Sequence, residues 1–235
     1  MVTISTQFNG PDRTGNGGYV AGLIADELGG DGPTTSKLRI PPPLATPLSW
    51  ETSDHATRLL TAGGAVVGEA ISGSFRRDPP PCPTHKQAKS GLAAYPGFHH
   101  HPFDRCFTCG TQRDEGDGLR LFTGPYADGK TSAPWTPHPA FGGDGGAIDV
   151  PVMWAALDCP GAWAADCANN TMVLGLMTAE ITRLPVAGEP CISVGSLHER
   201  DGRKFFTDTA LYTAEGELLG NAEQVWILID LATFA

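Results

Sequence analysis

The chain has 235 residues, of which 40% are hydrophobic and 18% charged, and its formal net charge is −10. This composition is typical of a globular protein, and the length suits one large domain or two small ones. The negative charge argues against nucleic acid as the main partner, because phosphate binding needs a concentrated basic surface. No apolar run reaches the about 18 residues of a membrane span.

The N-terminal segment and the cysteines bear on where the protein works. Residues 1–15 have neither a basic start nor an apolar run, so no signal peptide is expected. The six cysteines follow no disulfide spacing. Reduced thiols in the cytoplasm are therefore the default interpretation.

The first part of the chain predicts one helix among strands. Apolar residues at helical spacing predict a helix that opens on Asn16-Gly17-Gly18 and ends at Gly29-Gly30. Strand-like segments flank it at 2–8, 36–40, 47–53, 56–61 and 65–75. Residues 78–104 are rich in proline and polar residues without periodicity. We predict a linker there, between domains at 1–77 and 105–235.

The second part predicts a similar arrangement. Segments 119–123 and 130–135 suggest a hairpin. Asp149 then caps a helix with Pro151 in its first turn. This helix is apolar nearly all round, which indicates burial on most sides. Long strands are predicted at 177–184, 191–198, 204–212 and 217–230.

A short repeat links the two parts. TAGGAVVGEA at 61–70 and TAEGELLGNA at 213–222 are identical at five of ten positions. In both copies, a glycine, any residue, two apolar residues and a second glycine start a long, late strand. Coincidence between glycine-rich turns is the alternative, but the shared order of helix, proline break and late strand favours an internal duplication.

Three stretches resemble hotdog-fold enzymes. NGGYVAG at 16–22, followed by LRIPPPL at 38–44, resembles the first half of the thioesterase-like and type II acyl-CoA thioesterase families. CFTCGTQRDEGDGLRLF at 106–122 is similar to the opening of single-domain hotdog thioesterases. MWAALDCPGAW at 153–163 resembles the central helix in the second half of double-hotdog enzymes. The resemblance implies an α+β tandem hotdog fold, with two antiparallel sheets that each wrap a central helix.

The opening of the first helix is a candidate oxyanion site. Thioester hydrolysis develops negative charge on the carbonyl oxygen, and a helix N-terminus offers unpaired N–H groups and a positive dipole end. Side chains at Gly17 and Gly18 would block close approach of an acyl group. The resemblance points to this helix end as well. The alternative is that Asn16 is an ordinary cap beside a tight turn.

Water attack also needs a base or an orienting group. Asp158 is the first candidate, since it follows an apolar stretch whose burial would raise its pKa; the type II enzymes carry a helix aspartate about one position later. Gln224 is the second, because the resembling families carry a glutamine near this place that orients water. Thr178 is a third, by the same resemblance. The alternatives are a helix end at Asp158, a surface glutamine and an ordinary strand threonine. Asn16, Tyr19 and Trp154 are assigned to substrate binding.

Two further signals are given ordinary interpretations. Cys106 and Cys109 have zinc-knuckle spacing, but no second pair follows, so we predict neither a metal nor a cofactor. Arg76-Arg77 could meet the phosphates of a CoA ligand, although a solvated charge pair is the simpler reading.

The sequence thus predicts an acyl-CoA thioesterase that acts by direct attack of water. The alternative is a non-catalytic acyl or acyl-CoA binding protein of the same fold, which the lack of a sharp catalytic motif favours. Assembly into a homo-oligomer is expected, because sheet edges need covering.

Overall fold

The computed structural model of the chain describes residues 1–143 and 145–232. The last three residues of the predicted domain at 105–235 lie outside this range. The helices are α1 (Gly17–Leu28), α2 (His85–Ala93) and α3 (Val150–Ala164). The strands are β1 (Val2–Thr3), β2 (Thr34–Leu38), β3 (Pro47–Ser53), β4 (Ala56–Thr61), β5 (Val66–Ser72), β6 (Gly124–Ala127), β7 (Lys130–Trp135), β8 (Met172–Ile181), β9 (Cys191–Asp201), β10 (Lys204–Thr213) and β11 (Leu218–Leu228).

The eleven strands of the described residues form one antiparallel sheet in the order β1-β3-β4-β5-β2-β8-β11-β10-β9-β7-β6. The sequence predicts two antiparallel sheets, each wrapping one helix. The structure instead joins the two halves, because β2 pairs directly with β8. Each of these strands would otherwise present a row of unpaired backbone groups, and the pairing satisfies both.

The strand order is the same in both halves when it is followed outwards from this central pair. The order β2-β5-β4-β3 on one side matches β8-β11-β10-β9 on the other. The repeated sequence forms the same turn in both halves: Thr61 N–H donates to Ala65 O over 2.9 Å, and Thr213 N–H donates to Glu217 O over 2.8 Å. The repeat therefore corresponds to equivalent positions in the fold.

Helices α1 and α3 pack against each other and against the sheet. The contact depends on two glycines one turn apart in α1. A Cβ at Gly18 would lie 2.4 Å from Asp158 Cβ, and a Cβ at Gly22 would lie 2.5 Å from Trp154 Cβ. This pairing runs the helices in opposite directions, so the N-terminus of α1 lies beside the C-terminal half of α3.

Helix α3 is buried on every side, as its apolar sequence predicts. Hydroxyl groups around it bond to its backbone carbonyls. Thr131 donates to Pro160 O over 2.9 Å, Thr209 to Leu157 O over 2.7 Å, and Thr108 to Ala155 O over 3.0 Å. These bonds let polar side chains lie against an apolar helix without losing their partners.

The segment 78–104, predicted as a linker, contains helix α2. Thr84 and Gln87 form a capping box at the start of α2, a device that favours a helix without apolar periodicity. Gly91 lets α2 approach β7 closely, since a Cβ there would lie 2.1 Å from Ser132 O.

The predicted hairpin at 119–135 is shifted along the chain. The strand that pairs with β7 is β6, which follows the predicted segment 119–123. Leu119 lies before β6, and its N–H donates to Phe107 O over 2.8 Å. Among the described residues, no helix is long and apolar enough to cross a membrane.

Candidate active site

The N-terminus of α1 is capped and partly occupied. Asn16 Oδ1 accepts a hydrogen bond from Tyr19 N–H over 2.8 Å, so Asn16 is the N-cap, as the simpler reading expected. Gly18 N–H donates to Asp158 Oδ2 over 3.0 Å. Gly17 N–H has no protein acceptor among the residues that the structure describes. One N–H of this helix end is therefore available to another acceptor.

Asp158 is a buried carboxyl group with one unpaired oxygen. Its side chain is 1% exposed, and Oδ1 has no hydrogen-bond partner within the described ranges. Burial raises the pKa of Asp158 to about 8, while the bond from Gly18 N–H and the nearby Asn16 amide oppose this rise and Cys106 adds to it. An unpaired polar atom in the interior is costly and commonly marks a functional position.

A cavity of about 220 Å³ opens beside this carboxyl group. Asn16, Gly17 and Asp158 line its polar end. Its other walls are mainly apolar and come from β2, the loop after β2, the loop after α2, α3, β8 and β11. They include Leu38, Ile40, Pro42, Phe103, Trp163, Met172, Leu174 and Ile227. The cavity is thus an apolar chamber with a carboxyl group and a free N–H at one end.

The glycines at 17 and 18 permit contacts within the protein. A Cβ at Gly17 would lie 2.6 Å from Leu174 Cβ. A Cβ at Gly18 would collide with Asp158, as described above. The absence of side chains therefore brings α1 close to α3 and β8, and it places Asp158 within reach of the helix end.

Three cysteine thiols lie next to Asp158. Cys106 and Cys109 come from the loop after α2, and Cys159 comes from α3; all three line the cavity. The Cys106 and Cys159 sulfur atoms are 3.7 Å apart, and Asn16 Nδ2 is 3.7 Å from Cys106 Sγ. Hydrogen bonds from the neighbouring thiols hold the pKa of Cys106 well below its usual range. Burial raises the pKa of Cys109, and the hydrogen bond to Cys106 raises the pKa of Cys159.

Gln224 reaches the site through the backbone of α3. Its Nε2 donates to Leu157 O over 2.7 Å and to Asp158 O over 3.0 Å. Its Oε1 accepts from Thr207 Oγ1 over 2.8 Å and from Trp226 Nε1 over 3.1 Å. Every polar atom of the amide thus has a protein partner, and Gln224 fixes the turn of α3 that carries Asp158.

We expect Gln224→Leu to lower the free energy of unfolding by about 2–4 kcal/mol, because it leaves the buried Thr207 hydroxyl and Trp226 indole N–H without an acceptor. Urea unfolding measures this change. Adding Thr207→Val removes one of these unpaired groups, so the double variant should recover part of the lost free energy of unfolding. A Gln224→Leu variant as stable as the wild type would show that these bonds contribute nothing to the fold.

Four of the predicted side chains do not line this cavity. Gln224 and Thr178 line a separate surface pocket with Arg77, where Thr178 Oγ1 is 2.7 Å from Thr35 Oγ1. Tyr19 stacks on Phe8 at a ring-centroid distance of 3.9 Å. Trp154 packs against Gly22 in the contact between α1 and α3. Of the predicted set, Asn16, Gly17, Gly18 and Asp158 are brought together, and Gln224 contacts them through α3.

The start of α3 does not repeat the arrangement at the start of α1. Asp149 occupies the N-cap position, but its side chain accepts no capping bond. Pro151, in the first turn, has no N–H to offer. The neighbouring end of α1 carries Ala25 and the exposed Asp26. A buried carboxyl group beside a free helix N–H therefore occurs at one of the two helix junctions.

Arg77 is engaged within the protein. Its Nε and Nη2 donate to both oxygens of Asp208 over 2.8–3.2 Å. The backbone N–H groups of Arg76 and Arg77 donate to Glu223 Oε1 over 2.8 Å. This bidentate pair leaves the guanidinium less available to an external phosphate.

The fold places the chain among hotdog proteins. Over nearly its whole length it is similar to three solved structures, one of which is described as having a hot dog fold, and at identities below 20% this likeness defines the architecture alone. No protein-family model and no curated protein matches the sequence.

Three of these structures span almost the complete chain. A candidate thioesterase from Novosphingobium aromaticivorans has a TM-score of 0.62 and 16% identity, covering 97% of this chain and 94% of that one. A hot dog fold protein of unknown function from Alicyclobacillus acidocaldarius has a TM-score of 0.60 and 13% identity, covering 96% and 91%. The tesB protein of Mycobacterium avium subs paratuberculosis has a TM-score of 0.56 and 13% identity, covering 94% and 89%.

Proposed function

We propose that the protein hydrolyses acyl-CoA thioesters by direct attack of water. The observation that carries this proposal is the unpaired, buried Asp158 Oδ1 in an apolar cavity, beside the free N–H of Gly17. A base and an oxyanion donor at the end of an apolar chamber are the groups that hydrolysis of an acyl thioester requires.

In the proposed reaction, Asp158 Oδ1 accepts a proton from water while the water oxygen bonds to the carbonyl carbon. The carbonyl oxygen becomes negatively charged and accepts a hydrogen bond from Gly17 N–H, at the positive end of α1. The intermediate then breaks its carbon–sulfur bond. The proton on Asp158 passes to the leaving sulfur, so the products are a carboxylic acid and free CoA.

Gln224 has a positioning role in this proposal. It bonds to the carbonyl groups of Leu157 and Asp158, so it fixes the orientation of the residue that acts as base. The bond from Gly18 N–H to Oδ2 leaves Oδ1 free for the water. Such supporting bonds hold a reacting group within the small tolerance that catalysis needs.

The cavity suits the acyl part of the substrate. Its volume of about 220 Å³ is below the range of roughly 300–1,000 Å³ that is typical of pockets enclosing a whole drug-sized ligand. We therefore assign it to the acyl group, with the CoA portion outside. The matching strand orders of the two halves support a tandem of two hotdog units as the framework.

A non-catalytic acyl or acyl-CoA binding protein is the second candidate. The observation that favours it is the single free N–H at the start of α1, because Gly18 N–H is already taken by Asp158. Oxyanion sites commonly combine more than one donor.

Incubation with straight-chain acyl-CoAs of short, medium and long chain length tests the proposal. Free CoA and carboxylic acid are measured by chromatography, and binding is measured by calorimetry on the same preparations. Turnover well above the uncatalysed rate on at least one chain length is expected. Binding without turnover on every chain length would favour the binder.

Location and assembly belong to the same proposal. All six cysteines are unpaired, which suits a reducing compartment such as the cytoplasm. The sheet ends in β1 and β6, whose outer edges another copy of the chain could cover.

A further inference from the structure

The thiols of Cys106, Cys109 and Cys159 converge although they come from distant parts of the chain. All three sulfur atoms lie within 4.8 Å of one another, and all three residues are buried. The sequence alone predicts no metal, because Cys106 and Cys109 lack a second pair. The structure supplies the third thiol from α3, some fifty residues later.

We infer that Cys106, Cys109 and Cys159 form a three-thiolate site for Zn²⁺, with the fourth coordination position facing the cavity. This site does not depend on the proposed activity. Zn–S bonds of about 2.3 Å in a tetrahedral site place two sulfur atoms roughly 3.8 Å apart. The Cys106 and Cys159 sulfur atoms are already 3.7 Å apart.

The local backbone favours such a site. The segment Cys106-Phe-Thr-Cys109-Gly110 turns tightly, with Gly110 N–H donating to Cys106 O over 2.8 Å. A Cβ at Gly110 would lie 2.6 Å from the N and O atoms of Cys106. Glycine is thus required after the second cysteine, and the turn presents both thiols together. Cys106 and Cys109 thus have the C-x₂-C spacing that is common among zinc ligands.

The segment is also held rigidly by its surroundings. Tyr95 Oη donates to Cys109 O over 2.8 Å, Thr108 Oγ1 donates to Ala155 O, and Phe107 N–H donates to Asn9 O over 2.7 Å. The Asn16 amide approaches Cys106 Sγ as an additional donor. Preorganised ligands with outer donors are typical of metal sites.

The fourth ligand is expected to come from outside the protein. His101 lies in the cavity wall, but its Nε2 is 3.1 Å from Cys109 O and its Nδ1 accepts from Phe103 N–H. Cys167 also lines the cavity, yet it is outside the cluster of convergent thiols. Three protein ligands and one exchangeable position describe an open zinc site. Soft thiolate ligands select this class of metal.

Cobalt substitution tests the site without relying on activity. Protein reduced with a phosphine under anaerobic conditions is titrated with Co²⁺. We expect saturation at one ion per chain, with tetrahedral d–d bands and a sulfur-to-cobalt charge-transfer band. Zn²⁺ should displace the Co²⁺ and abolish both. A wild-type protein that shows no charge-transfer band and retains no stoichiometric Zn²⁺ would overturn the inference.

Variants test the ligand set. Cys106→Ser, Cys109→Ser and Cys159→Ser should each weaken metal binding by more than the roughly 10–100-fold that loss of an outer-shell partner costs. The matched control, Cys167→Ser, should keep the wild-type spectrum. Circular dichroism confirms that each variant is folded. A wild-type spectrum in Cys159→Ser contradicts the three-thiolate set, and loss of the band in Cys167→Ser contradicts the open fourth position.

Discussion

Asp158→Asn is expected to lower kcat for acyl-CoA hydrolysis by about 10²–10⁴-fold, the usual contribution of a positioned general base. Asparagine has the same shape, and its amide oxygen can still accept from Gly18 N–H, so the contact between α1 and α3 is preserved. Its amide cannot accept the proton from water. KM should change little, because the apolar walls that bind the acyl group are unaltered.

Steady-state kinetics on the preferred acyl-CoA measure this effect, and urea unfolding confirms that the variant is folded. Asp149→Asn is the matched control. It changes the same residue type at the other end of the same helix, where the side chain makes no capping bond, and kcat should stay close to that of the wild type. Full activity in Asp158→Asn would remove the assignment of Asp158 as the base.

The second large effect is expected for Gly18→Ala. The new Cβ would lie 2.4 Å from Asp158 Cβ and 2.8 Å from Trp154 O, so α1 and α3 must move apart. Overpacking of a core typically costs about 1–3 kcal/mol, and the bond from Gly18 N–H to the carboxylate is weakened as well. We expect the free energy of unfolding to fall by about 2–4 kcal/mol, together with a loss of activity because Asp158 is displaced.

Gly63→Ala is the control for this substitution. The nearest atom to a Cβ at Gly63 is Thr61 Oγ1, at 3.8 Å. A surface change without a clash should alter stability by no more than about 0.5 kcal/mol. Equal stability of the Gly18→Ala and Gly63→Ala variants would mean that the two helices separate freely, contrary to the packing described.

Much of the fold follows from local patterns in the sequence. The predicted strands at 47–53 and 56–61 match β3 and β4, and Gly29 ends α1 as expected. Helix α2 was not predicted, because it is stabilised by a capping box and by contact with β6 and β7 and has no apolar periodicity. The joining of both halves in one sheet was not predicted either, because β2 and β8 pair residues that are more than a hundred positions apart.

Only part of the candidate site can be predicted from the sequence. Asp158 stands out as a single acidic residue in an apolar helix, and the glycines at 17 and 18 stand out at a helix start. Cys159 gave no signal beyond its position next to Asp158. Its proximity to Cys106 depends on how the loop after α2 lies across α3, which no local pattern specifies. The engagement of Gln224 with backbone carbonyls likewise depends on the distance between β11 and α3.

The pairing of β2 with β8 makes the two halves one thermodynamic unit. If the two halves separated, each would expose the edge of a strand, and α1 would expose the face that carries Gly18 and Gly22. We therefore expect unfolding in a single cooperative transition with no populated half-folded species. A chain severed between α2 and β5 should yield two fragments that acquire structure only on reassociation, as in fragment complementation.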